Sequence, residues 1–131
     1  MLFEKITKVD DKILKLFIPC RKNFIYSSRS AVKQLGRIIK TSIAFYKVYE
    51  KSGAFIGCLF IDTIDDNNKI IDFGGFAARH VNTKESIKEL IAFIKYHYPG
   101  YKIRAITTHL TAKLSLARAG LIKNKEEYIY E

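Results

Sequence analysis

The chain has 131 residues, 48% of them hydrophobic, and carries 23 lysines and arginines against 13 aspartates and glutamates, a formal charge of +10 at pH 7. That length suits one domain spanning residues 1–131, and a content of two prolines and seven glycines excludes a linker-rich or disordered chain. No apolar run approaches the roughly 20 residues that cross a bilayer, and Glu4-Lys5 breaks any secretory pattern at the start. A cytoplasmic location without a membrane partner is therefore expected.

Residues 2–7 read as a short first strand. Asp10 or Asp11 then caps a helix whose apolar positions Ile13, Leu14, Phe17 and Ile18 follow helical spacing, and Pro19 is expected to interrupt it. Ser27-Ser28 offers caps for a second helix with Val32, Leu35, Ile38 and Ile39 as its inner face.

The middle of the chain reads as strands. Ile43–Glu50 is rich in aromatic and β-branched residues, and Lys51-Ser52-Gly53 turns the chain. Ala54–Thr63 is apolar on both faces, as a central strand is. Asp65-Asp66-Asn67-Asn68 is a turn. Lys69–Ala78 is the fourth strand, and its Gly74-Gly75 admits two readings, a bulge or a close backbone approach by a ligand.

Asn82-Thr83-Lys84-Glu85 fits a capping box for a third helix, whose stripe is Ile87, Leu90, Ile91, Ile94 and Tyr98 and whose end is Pro99-Gly100. Lys102–Thr107 is a fifth strand. Thr108 or Thr111 starts a short helix that closes at Gly120, and one or two short strands finish the chain. The order β–α–α–β–β–β–α–β–α–β–β predicts an α/β (α+β) domain around a mixed, mostly antiparallel sheet. The helices of the second half separate strands that would otherwise pair locally, which implies that one part of the sheet is parallel or splayed.

Basic residues cluster at Lys12/Lys15/Arg21/Lys22, at Arg29/Lys33/Arg37/Lys40 and at Lys102/Arg104/Lys113/Arg118. Such clusters either attract polyanions, nucleic acid or a phosphate-bearing cofactor, or merely solvate the surface. Cys20 and Cys58 match no metal spacing and sit among apolar residues, so reduced core thiols are expected and no metal site is assigned.

The element order resembles the GNAT superfamily of acyl-CoA-dependent N-acyltransferases. Members often show Asn-x-x-Ala-x-x-Leu-Tyr-Glu-Lys-x-Gly-Phe across the last helix. Here the same span runs from His109 to Leu121, with Ala112, Arg118 and Gly120 agreeing, His109 in place of the asparagine and Leu116 in place of the tyrosine.

The resemblance implies that acetyl-CoA, as co-substrate, lies in the opening between the fourth and fifth strands. Its pyrophosphate would rest on the amides that open the following helix, where unpaired N–H groups and the helix dipole favour an anion. The family's loop reads Arg/Gln-x-x-Gly-x-Gly/Ala. The corresponding stretch here begins at Arg79 and places Asn82 and Lys84 where the glycines stand, so the loop is degenerate. Arg79, Asn82, Thr83 and Lys84 are the phosphate-side candidates. The backbone around Phe76, Ala77 and Ala78 is the candidate contact for the acyl carbonyl.

Acyl transfer to an amine needs a base, oxyanion donors and an acid for the leaving thiolate. The resemblance places Asp72 where a carboxylate base often stands, and burial among Ile70, Ile71 and Phe73 would raise its pKa; its other reading is a hydrogen-bonded strand aspartate. Leu116, at the tyrosine position, cannot donate a proton; His109, at the start of the same helix, titrates in the right range to act as acid or base, or it simply caps that helix. The implied activity is N-acetylation by direct attack of an amine on acetyl-CoA. The acceptor is unassigned among small molecules, proteins and aminoacyl-tRNA, with nucleic acid among the partners considered. The alternative is a non-catalytic GNAT-like module that binds a protein or nucleic acid through its basic surface.

Overall fold

The architecture follows from where the apolar residues fall. The structure, a computed structural model, describes residues 1–21, 30–78, 83–106, 116–117, 119–124 and 127–131. Within these, the elements are β1 (Leu2–Ile6), α1 (Asp11–Cys20), α2 (Ala31–Thr41), β2 (Ala44–Tyr49), β3 (Phe55–Asp65), β4 (Ile70–Ala77), α3 (Thr83–His97), β5 (Lys102–Ile106), β6 (Ile122–Asn124) and β7 (Glu127–Tyr130). No described helix is long and apolar enough to cross a membrane.

The strands form one sheet in the order β1-β2-β3-β4-β5-β7-β6. Every pairing is antiparallel except β4 with β5. The predicted mixed, mostly antiparallel sheet is thus what the chain forms, and its parallel part is the β4–β5 contact.

Strand alternation sends side chains to two cores. On the α3 face, Leu59, Ile61, Ile71 and Ile103 pack with Ile91 and Ile94 of the helix stripe, and Leu116, Ala119 and Tyr128 complete that cluster. On the opposite face, Phe45, Cys58, Phe60 and Phe76 pack with Ile13 and Phe17 of α1 and with Leu35 and Ile39 of α2. The Phe17 and Phe76 rings lie 5.5 Å apart and the Phe45 and Phe60 rings 5.7 Å apart.

Asp10 caps α1, accepting from the Ile13 amide at 2.8 Å, and its other oxygen takes the Lys47 ammonium at 2.7 Å. A cap of this kind is worth about 1 kcal/mol. Asp65 accepts from the amides of Asn67 and Asn68, both at 3.1 Å, which closes the β3–β4 turn expected there.

Four expectations need correction. Pro19 lies inside α1 rather than interrupting it, because it falls in the last turn, where the Arg21 amide closes the helix on Ile18. The cap of α2 is Ser30, while Ser27 and Ser28 lie outside the described residues. Ile18 and Val32 are exposed, at the outer edges of the stripes they were assigned to. The bulge falls between Ile61 and Thr63 of β3, while the register runs unbroken through Gly74 and Gly75.

Candidate functional site

The parallel contact between β4 and β5 is short. Ile70 pairs with Lys102, Ile71 with Ile103 and Asp72 with Arg104, and there the pairing stops among the described residues. Beyond that rung β5 continues beside β7, through Ala105 and Ile106. Residues 73–77 of β4 remain paired with β3 alone among the described residues. The two strands therefore diverge from a vertex at Asp72 and Arg104 and leave a wedge between them.

The direction of the β4 peptide groups follows from one bond. Ala78 donates its amide to the Ile56 carbonyl at 3.0 Å. In an antiparallel ladder the peptide groups of successive residues alternate sides. Ala78, Phe76 and Gly74 therefore turn theirs toward β3, whereas Ala77, Gly75 and Phe73 turn theirs into the wedge. Of the three residues expected to meet an acyl carbonyl, Ala77 presents its peptide group to the opening. The Phe76 side chain is buried against α1.

Gly75 is exposed beside the wedge. A Cβ added there would stand 2.6 Å from the Cys58 carbonyl oxygen, and one at Gly74 would run into the Phe60 ring. Strand packing thus accounts for both glycines.

At the vertex the Arg104 guanidinium grips the Asp72 carboxylate through Nε at 2.5 Å and Nη2 at 2.9 Å. Thr63 donates its hydroxyl to the same carboxylate at 2.5 Å, and Glu127 approaches Arg104 Nη1 at 3.6 Å. The expected rise in the Asp72 pKa is reversed. Hydrogen bonds from Arg104 hold the carboxyl below the ordinary aspartate value, outweighing the partial burial that opposes them, with Thr63 adding to the effect. An aspartate so held is a poor proton acceptor. Arg104 is the neighbour of Asp72 that local sequence does not reveal, because the parallel register that sets the two opposite each other is not local information.

The helix after β4 begins at Thr83, with Lys84 and Glu85 exposed in its first turn. Arg79 and Asn82, expected in the phosphate loop, and His109, expected as acid or base, lie outside the described residues. Leu116, at the family's tyrosine position, is 5% exposed in the α3-side core. His97 is exposed and contacts the Phe93 carbonyl through Nδ1 at 3.0 Å, a local helix-end contact. A separate hollow of about 440 Å³ lies between α3 and β7, lined by Lys88, Ile91, Ala92, Lys95, Ala119 and Tyr130. The vertex and the odd-numbered β4 residues are not part of that lining.

No protein-family profile and no curated sequence matches the chain. Solved structures do. The ribosomal-protein-S5-alanine acetyltransferase of Vibrio fischeri superposes with a TM-score of 0.65 at 15% identity, over 97% of this chain and 88% of that one. The N-acetyltransferase PseH of Campylobacter jejuni, in complex with acetyl coenzyme A, gives 0.63 at 15% identity over 98% and 96%. A GNAT-family protein of Desulfovibrio desulfuricans gives 0.66 at 11% identity over 99% and 98%. With this sheet order, its diverging β4 and β5 and these neighbours, the chain has the fold of the GNAT superfamily.

Proposed function

We propose that this chain is an N-acetyltransferase that uses acetyl-CoA and binds it in the wedge between β4 and β5. The observation that carries this reading is the divergence after the Asp72–Arg104 rung, which leaves the peptide groups of Gly75 and Ala77 without a strand partner on the β5 side among the described residues. A slot lined by strand backbone can hydrogen-bond a linear amide-containing chain as a missing strand would. The amides at the start of α3, with Thr83 and Lys84 of its first turn and with Arg79 and Asn82 just before it in the sequence, would meet the pyrophosphate.

In this reading the wedge fixes the thioester carbonyl, and a peptide N–H facing the slot stabilises the charge that develops on its oxygen. The acceptor nitrogen, once neutral, forms the new C–N bond as the C–S bond breaks, and it gives up a proton as it becomes the amide. The thiolate leaves with the electron pair and is then protonated. His109 is the side chain proposed to move a proton in this cycle. Asp72, assigned as a base from its position in the chain, is proposed instead to hold the vertex through Arg104.

A second reading, a GNAT-like binding module without catalysis, draws on Leu116, which is buried in the core and cannot donate a proton, and on the lowered pKa of Asp72. One titration separates the two. Acetyl-CoA at about 100 times its Kd adds ~2.7 kcal/mol of stability, roughly a 5–15 °C rise in Tm for this size. A rise with acetyl-CoA and CoA but not with ATP, followed by thiol release on adding an amine, supports the enzyme. A rise without thiol release across an amine panel supports the module, and no rise at millimolar cofactor overturns acyl-CoA binding altogether.

A further inference from the structure

The basic charge is segregated. Residues 1–41 hold ten of the 23 cations but three of the 13 anions, a surplus of seven out of the whole chain's ten. The structure separates the basic clusters of the sequence. Arg104 is taken up by Asp72 and Glu127, and Lys102 pairs with Glu131 at 3.5 Å. Lys12 and Lys15 of α1, and Lys33, Arg37 and Lys40 of α2, are all exposed, and among the described residues no ion pair engages them.

Helix α2 contains no acidic residue, and its three cations lie at i, i+4 and i+7 along one side. At a rise of 1.5 Å per residue they cover about 10 Å. A nucleic-acid duplex presents about six charges over that length. We propose that the outer surface of α1 and α2 is a docking surface for nucleic acid, bound through its phosphates.

The choice of partner follows from the same residues. An amphipathic helix that docks on a bilayer needs an unspent apolar face, but here Ile13, Phe17, Leu35 and Ile39 are buried on the sheet, leaving Ile18 and Val32 as the large apolar groups exposed on these helices. Folded protein surfaces usually intersperse both signs of charge, so five exposed cations with no ion pair among the described residues are matched best by a polymer with one negative charge per unit. The inference itself does not depend on acyl transfer.

The test is fluorescence anisotropy of the whole chain with a labelled 20-base-pair duplex and a 20-nucleotide single-stranded RNA, without acetyl-CoA, over a range of salt. Engagement of five phosphates gives a log–log salt slope of about −4.5 on the duplex, and the Lys33→Glu/Arg37→Glu/Lys40→Glu variant lowers its magnitude by about 2.7. The charge-matched Lys51→Glu/Lys88→Glu/Lys123→Glu variant keeps the parent slope. Circular dichroism checks folding, and a Lys33→Gln/Arg37→Gln/Lys40→Gln variant replaces the glutamates if they disturb α2. Equal losses in both triple variants, no binding at about 50 mM salt, or sedimentation with phosphatidylserine vesicles in place of nucleic-acid binding would each overturn the proposal.

Discussion

Asp72 and Arg104 face each other on the last rung that β4 shares with β5, joined by two hydrogen bonds of 2.5 and 2.9 Å. Both side chains are largely shielded, at 19% and 26% exposure. Breaking such a pair from one side leaves a partly desolvated charge without its partner, a loss of about 1–3 kcal/mol once solvent screening is allowed for. Arg104→Met and Asp72→Asn are therefore expected to lower the urea midpoint by similar amounts. In a double-mutant cycle the two losses should not add, and additive losses would show that the pair does not hold the vertex.

The same pair predicts an acid dependence. Folded Asp72 releases its proton more readily than an unfolded aspartate, whose ordinary value is 3.8. The stability it contributes is fully present above that value and is lost as pH falls through the lower, folded one. Asp10 shifts in the same direction: burial pushes its pKa up, but Lys47 and the amides at the start of α1 outweigh it. Unfolding midpoints between about pH 6 and about pH 2 should fall for the parent chain and fall less steeply for Asp72→Asn. Parallel curves would remove Asp72 from the account.

The elements were legible where the signal is local. The α3 stripe, the Asp65–Asn68 turn and the two-sided apolar character of β3 each rest on neighbouring residues, and the structure keeps all three. What depends on register was not legible. The expected rise in the Asp72 pKa came from its apolar flanks, and it failed because the partner that decides it stands 32 residues later on a parallel strand. The same is true of Gly74 and Gly75. Sequence alone offered a bulge or a ligand, and the cause is the Phe60 ring and the Cys58 carbonyl on β3. The helix caps are half legible: the sequence narrows the α1 cap to Asp10 or Asp11 and the structure uses Asp10, whereas Ser27-Ser28 competes with Ser30 for α2 and the structure uses Ser30.

Gly75 offers a direct test of that packing. An alanine Cβ would lie 2.6 Å from the Cys58 carbonyl oxygen, a main-chain atom that can move only with its strand. Overpacking of this kind costs about 1–3 kcal/mol. Gly75→Ala should lower Tm by several degrees, roughly 4–8 °C per kcal/mol in a domain of about 100 residues. If the wedge binds acetyl-CoA, the same variant should also weaken the ligand-induced rise in Tm. Gly53, whose φ is +93° and around which a Cβ would meet nothing within 4 Å, is the contrasting site, where alanine costs backbone strain and no clash.

Cys58 should be chemically silent in the native protein. It is 3% exposed, opposite Lys47 in the β2–β3 register, and packed among Ile13, Phe17 and Phe76. Burial raises the pKa of its thiol strongly, and Asp10 adds to that while Lys47 opposes it. Attack on a disulfide reagent needs the thiolate, so the native side chain has neither the charge nor the access. With an aromatic disulfide at about pH 8, native Cys20→Ser protein should react only as fast as it opens, and Cys58 should react promptly in urea. Global unfolding populates an open form at about 10⁻³ to 10⁻⁶ of molecules, so protection by at least a thousandfold is expected. Prompt reaction of the folded Cys20→Ser chain would mean that the aromatic core between α1 and the sheet opens far more easily than its packing indicates.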